Sequence, residues 1–368
     1  MQTLLIAFLT SVLTTFLVVR YRHIHEDVSG DHDVKSIQKF HTSAVPRIGG
    51  VCLFLGVLVA LFVRWVQNPE VGLFGLLLAL SALPAFGIGL SEDITKKVSI
   101  AIRLAATVFA ALLAGYLLNA WLNSLGIDTL DRWIIQYPLL TISVTCFAVA
   151  GVANAFNIID GYNGLSGMVA VIILGAIVYV AFRVGDHAVM TAALAMIGAL
   201  LGFLIWNYPR GLIFLGDGGA YFIGFWIAEL SILLTLRNSS VSVWFPLLLC
   251  MYPIFETLFS IYRRVVLRRS HPGVPDSSHL HHLIYKRVVR WAVGSRHPTD
   301  ELIRNSLTAP YLWSLCLLSA IPAVVFWQNP LILQLFALLF AVSYVTLYRM
   351  LVKFSAPQWM TLRFKKYK

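Results

Sequence analysis

Stretches of about 20 apolar residues recur from one end of this chain to the other, each long enough to cross a ~30 Å hydrocarbon core as a helix. Lipid offers no partner to a backbone amide, so such runs fold only as helices or closed barrels. Period-two alternation is absent, which sets a barrel aside. With 59% hydrophobic and 12% charged residues in 368, and a mean hydropathy of +0.79, the chain carries more apolar surface than a soluble domain can bury. The expected fold is an all-α polytopic integral membrane protein with about eleven transmembrane helices. They fall near 2–20, 48–66, 71–90, 100–120, 137–157, 165–185, 188–206, 212–236, 241–263, 308–327 and 331–352. No insertion is large enough for a soluble domain, so one multi-pass domain spans 1–368, with its distinctive segments in 35–290.

Orientation follows from where the positive charges fall. The first apolar run precedes Arg20 and Arg22, the reverse of a cleaved signal, so it reads as a retained span with its N-terminus outside. Eleven spans then leave only Arg64, Arg132, Arg183 and Arg237 in outer segments; the other 24 of 28 Lys and Arg lie towards the cytoplasm. The C-terminal Arg363, Lys365, Lys366 and Lys368 are expected there too. A net charge of +11 is satisfied by anionic lipid head groups and needs no nucleic acid. Cys52, Cys146, Cys250 and Cys316 lie in or beside spans without CxxC spacing and read as packing residues. The outer segment 121–136 holds Asp128, Asp131 and Arg132 but no recognisable motif.

The inner segments hold the unusual chemistry. Asn154-Ala-Phe-Asn157-Ile-Ile-Asp160-Gly161-Tyr-Asn163-Gly164 places amides and a carboxylate where a span ends. Ionisable groups at membrane depth are costly and by default mark function. A spacing of three keeps Asn154, Asn157 and Asp160 on one helix flank, and the two glycines admit a close ligand. The alternative is a polar helix cap. Ser91-Glu92-Asp93-Ile-Thr-Lys96-Lys97 ends another span with paired acids. These could hold a cation, or simply form the i,i+4 pairs Glu92–Lys96 and Asp93–Lys97. Gly216-Asp217-Gly218-Gly219 exposes an acid before a span, although a plain turn also uses Asp-Gly.

Two basic segments complete the inner face. His279-Leu-His281-His282 precedes Lys286 and Arg287; its imidazoles suit phosphate or base contacts better than zinc, since no nearby Cys or carboxylate spacing completes a tetrahedral site. Arg263, Arg264, Arg268 and Arg269 just before it read as lipid-interface residues. Lys39, His41 and Arg47 could reach anionic groups, with Pro46 and Gly49-Gly50 shaping an entrance; the competing reading is an orientation signal. Carboxylates beside phosphate-binding cations suggest Mg²⁺, usually held by one or two carboxylates plus substrate phosphates. At a bilayer surface that points to phosphoryl transfer between a lipid-borne and a water-soluble substrate.

In their order along 35–290, these motifs resemble those of the polyprenyl-phosphate N-acetylhexosamine-1-phosphate transferases. The resemblance implies that a polyprenyl phosphate attacks the β-phosphorus of a UDP-linked N-acetylated amino sugar, releasing UMP. It implies Mg²⁺, with Mn²⁺ as the alternative ion, on Asp217 and Asn157. Asp93, Asp160, Asp217 and Glu92 become the catalytic set. Asn154 would position the sugar nucleotide or orient Asp160, and His279, His281 and His282 would contact the nucleotide or its diphosphate. Lys96 or Lys97 would lie near the phosphates. The implied setting is a bacterial inner membrane and a cell-envelope glycan such as O-antigen, with lipids as partners and a homodimer left open. Glu92 stands where relatives usually carry Asp, and Asn163 where many carry an acid, so Asp93 is favoured over Glu92 and Asn163 is not expected to be a base. The rival readings are a secondary transporter of an anionic or lipid-linked substrate and a scaffold that has lost activity. Against the first, the acids cluster at one set of span ends with no repeated half; against the second, Asn157, Asp160 and Asp217 are intact.

Overall fold

The computed structural model describes residues 1–24, 30, 45–267, 278–290 and 298–354. Among the described residues every regular element is a helix, apart from one isolated antiparallel bridge between Gly30 and Pro46. Among the described residues, ten helices are long and apolar enough to cross a membrane, as a multi-pass protein requires. They are α1 (Gln2–Arg20), α2 (Gly49–Gln67), α3 (Pro69–Thr95), α4 (Ile100–Leu118), α6 (Pro138–Ile159), α7 (Leu165–Val184), α8 (His187–Asn207), α9 (Gly216–Arg237), α13 (Pro298–Val325) and α14 (Pro330–Val352). Helix ends follow local chemistry. Asn68 accepts the Val71 amide at the start of α3, whose first residue is Pro69; Ser99 caps α4 and Asp186 caps α8.

An eleventh span was expected over 241–263. That segment is helical in two pieces, α10 (Trp244–Leu249) and α11 (Met251–Tyr262), neither long enough alone. Pro253 has no N–H to offer the Leu249 carbonyl, which accounts for the interruption beside Cys250. The 264–307 stretch is not simply a loop either. It contains π-helical turns at Arg263–Leu267 and Tyr285–Val289, the short α12 (Leu280–Ile284), and the first turns of α13. The outer 121–136 segment carries the nine-residue α5 (Asp128–Gln136). Asp131 organises its approach by accepting from Ser124 Oγ and the Leu125 and Gly126 amides.

Helix α9 is the axis of the molecule: 89% of its apolar window is buried, against 22% for the peripheral α1. It packs on α2, α3, α6, α7 and α8. Its first turn is glycine because two neighbouring helices touch it backbone to backbone. A Cβ on Gly89 of α3 would lie 2.7 Å from the Gly218 Cα, and one on Gly50 of α2 would collide with Gly219. The Gly49 and Gly50 amides donate to the Phe214 and Leu215 carbonyls, and the Phe214 amide to the Pro46 carbonyl. The entrance before α2 is therefore stitched to the segment that launches α9.

This close approach yields a paired test within one helix. Gly89→Ala forces backbone apart and should destabilise the detergent-solubilised protein by about 1–3 kcal/mol, lowering its thermal midpoint. Gly87→Ala, where an added Cβ meets nothing within 4 Å, should leave the midpoint in place. Equal midpoints for the two variants would contradict the packing.

Candidate functional site at the start of helix α9

The acids foreseen on separate spans meet at the α9 N-terminus. Asp93 is buried, in the last turn of α3. Its Oδ1 accepts the Asp217 amide at 2.8 Å and its Oδ2 the Gly218 amide at 2.9 Å. A carboxylate from one helix thus caps another, where orphan amides and the helix dipole both favour negative charge. Gly216, at φ +75°, turns the chain into this arrangement; a Cβ there would clash with Asp93 and the Arg47 carbonyl. Arg47 bridges the two acids, with Nε 3.9 Å from Asp93 and Nη2 3.7 Å from Asp217. On the other side, Arg103 Nη1 of α4 pairs with Asp217 Oδ2 and its guanidinium lies 5.9 Å from the Tyr221 ring centroid.

Helix α6 delivers the amides and Asp160. Gly224 of α9 presses on Ala153, and the Tyr221 hydroxyl donates to Asn154 Oδ1 at 3.3 Å. These two contacts hold the last turns of α6, which carry Asn157, alongside the first turns of α9. Asp160 follows directly after α6. Arg47 attracts it, and it in turn repels charge on Asp93, so the three acids share one electrostatic neighbourhood around Arg47. Burial pushes the Asp160 carboxyl up to about 7, with Arg47 opposing.

The turn after Asp160 is clamped. The Asn163 amide donates to Asn305 Oδ1 and its side chain to the Pro209 carbonyl; the Gly164 amide donates to Asn207 Oδ1. Asn163 is thus a buried structural clamp. The histidine segment docks beside it. His282 Nδ1 lies 2.9 Å from the Tyr162 hydroxyl, and His281 Nε2 faces Gly161. Burial, then the neighbouring rings of His282 and His279, hold His281 well below its ordinary pKa. His279 turns away to the buried Glu256 of α11, at 2.8 Å.

Several expectations need correcting. Glu92 does not pair along its helix with Lys96; its Oε2 accepts the Val98 amide and closes the turn after α3. Asp93 faces inward, not towards Lys97. Lys96 reaches the Gly30 carbonyl at 3.4 Å, and both lysines are exposed at the turn. Arg263 and Arg264 do not sit on the lipid interface: Arg263 is buried against Tyr348, and Arg264 faces His279. Lys39, His41, Arg268, Arg269 and the basic C-terminus lie outside the described residues. Arg103 and Glu256 were missed; each is an ionisable residue inside an expected span, the signal that would have found them.

The donor set suits a hard divalent cation. Among the described residues no group of three or more His, Cys, Asp or Glu side chains forms a ready-made cage, but Mg²⁺ commonly takes one or two carboxylates and completes its shell with phosphate and water. Asp217, Asp160 and the Asn157 amide offer such oxygens, and no hydrogen bond to a described residue engages the Asn157 or Asp160 side chain.

The chain is also similar to known proteins. Residues 74–235 match the model of glycosyl transferase family 4. A Bacillus subtilis (strain 168) protein named "Probable undecaprenyl-phosphate N-acetylglucosaminyl 1-phosphate transferase" is 28% identical over 307 residues, covering 82% of this chain and 81% of its own. Proteins of Thermotoga maritima (27% over 284 residues; 77% and 80% of the two chains) and Yersinia pestis (29% over 259; 69% of each) are named undecaprenyl-phosphate alpha-N-acetylglucosaminyl 1-phosphate transferases.

The Asp160 environment predicts a pH signature. Its folded pKa of about 7 lies above the ordinary carboxylate value near 4, so the folded protein keeps a proton that the unfolded chain releases. That contribution is complete at low pH and is lost as pH rises from about 4 to about 7. In the absence of added metal, the thermal midpoint should fall less over this interval in Asp160→Asn than in the parent. Identical slopes would contradict the assignment.

Proposed function

From the chain's place in the polyprenyl-phosphate N-acetylhexosamine-1-phosphate transferase superfamily, we propose that it transfers an N-acetylated amino sugar 1-phosphate from its UDP derivative to undecaprenyl phosphate. The acceptor's phosphate oxygen attacks the β-phosphorus, the bond to the bridging oxygen breaks, and UMP leaves. The lipid carries away the sugar as a diphosphate. The observation that carries this reading is the convergence of Asp93, Asp217 and Asp160 around Arg47, with the histidine segment beside them.

Charge is the main obstacle. A phosphate monoester is largely dianionic at pH 7 and must approach a diphosphate. Three carboxylates facing two guanidiniums leave the site short of positive charge. Mg²⁺, or Mn²⁺, on Asp217 and Asn157, with Asp160 adjacent, would supply charge neutralisation where it develops. Arg47 and Arg103 keep Asp217 in place, and Asp93 fixes the helix start that presents it. With both oxygens engaged by amides, Asp93 acts as an organiser and not as a proton acceptor. A direct in-line displacement then needs no covalent enzyme intermediate; a phospho-sugar trapped on Asp160 without lipid would refute it.

Helix ends fit a cytoplasmic working face. The ends bearing Arg64, Arg183 and Arg237 belong to the side opposite the acids, around the Asp186–Arg237 pair; the basic residues concentrate at the acidic end, as the positive-inside rule requires of a cytoplasmic surface. An inner-membrane role initiating a cell-envelope glycan follows from the same reading.

Purified protein given Mg²⁺, undecaprenyl phosphate and UDP-GlcNAc should release UMP. Asp217→Asn should lower kcat by about 10²-fold or more with the fold retained by thermal unfolding. A panel of UDP-amino sugars identifies the donor. No UMP release with any of them would refute the transferase reading and restore that of a transporter or scaffold.

A further inference from the structure

The three histidines are not equivalent. Glu256, fully buried on α11, has both carboxylate oxygens engaged. Its Oε1 lies 2.8 Å from His279 Nδ1 and accepts the Leu280 amide at 3.2 Å, while Oε2 accepts the Tyr344 hydroxyl of α14 at 2.6 Å. On the far side of the His279 ring, Nε2 lies 3.3 Å from Arg264 Nη2. A guanidinium can only donate, so Nε2 accepts and the ring proton sits on Nδ1, directed at Glu256. Both nitrogens of His279 are spent on the protein. His282 meets the Tyr162 hydroxyl through Nδ1.

His281 differs. It is buried between the other two, its ring stacked on His279 at 5.2 Å and 9° and edge-on to His282 at 4.4 Å. Its Nδ1 is buried with no hydrogen-bond partner among the described residues, and its Nε2 faces Gly161, the residue after Asp160. A buried polar nitrogen left unpaired costs about 1–3 kcal/mol, and here it stands beside the reaction centre.

We propose that Glu256 is a positioning residue: through His279 it fixes the start of α12, and with it the placement of the His281 ring against Gly161, beside the nucleotide. This rests on the transferase reading and assigns the work within its site. Glu256 touches no substrate. It sets ring tautomer and helix start through contacts from three elements, the loop before α12, α12 itself and α14, which a merely space-filling acid would not need.

The test is a double-mutant cycle on the intact protein, reading KM for the sugar nucleotide and for undecaprenyl phosphate separately. His281→Gln and Glu256→Gln should each raise the nucleotide KM on the order of tenfold, the loss of one hydrogen-bonded partner, while the lipid KM stays within twofold. The double variant should be no worse than the weaker single, because both act on one contact. His279→Gln severs the same link from the other end and must give the same pattern, which covers a Glu256 variant that folds poorly. Multiplying effects in the cycle, or equal loss for both substrates in step with lost folded protein, would overturn the inference while leaving an active transferase. A parent that releases no UMP removes the transferase reading and this inference together.

Discussion

One carboxylate terminating another helix is the constraint on which the rest depends. Asp93 belongs to α3, yet its two oxygens complete the first turn of α9. A helix start inside a membrane protein has orphan amides that no water can satisfy cheaply. Supplying the acceptors from a neighbouring span fixes the height and direction of α9 relative to α3. Asp217 is presented as a consequence, because it is the residue whose own amide is held.

That cap requires close backbone contact, and close contact requires glycine. Gly49, Gly50, Gly89, Gly216, Gly218 and Gly219 are all taken up by the meeting of α2, α3 and the α9 start. Arg47 then becomes the shared counter-ion, linking the stitched entrance to both acids. From the other direction, the Gly224–Ala153 contact and the Tyr221–Asn154 bond set the height of α6, and hence of Asn157 and Asp160. Packing and chemistry are decided by the same residues here: a fault in the glycine contacts would move the acids.

Much of this was legible in the sequence. Apolar runs pointed to the helices, since lipid leaves a helix few ways to hide, and the acids at their ends pointed to the place where Asp93, Asp160 and Asp217 come together. What was hidden depended on tertiary partners. Local spacing offered Glu92–Lys96 and Asp93–Lys97 pairs, but a helix start on another span competed for Asp93 and a turn amide for Glu92. Arg103 read as part of an apolar run, although its charge within a span was a usable sign. Glu256 was concealed in the same way, and its role depends on α14, nearly 90 residues away in sequence. The interrupted helix at 241–263 was signalled by Pro253, whose effect hydropathy alone does not register.

The central claim is that side chains from separate spans form one metal-binding centre at the α9 start. Its most direct measurement is Mn²⁺ binding to the purified, substrate-free protein by electron paramagnetic resonance, in the parent and in Asp217→Asn and Asn157→Ala. Affinity at least tenfold weaker in both variants, with unchanged thermal midpoints, is the expected result, as each removes one oxygen ligand. Unaltered Mn²⁺ affinity in either variant would contradict a shared coordination sphere for α6 and α9.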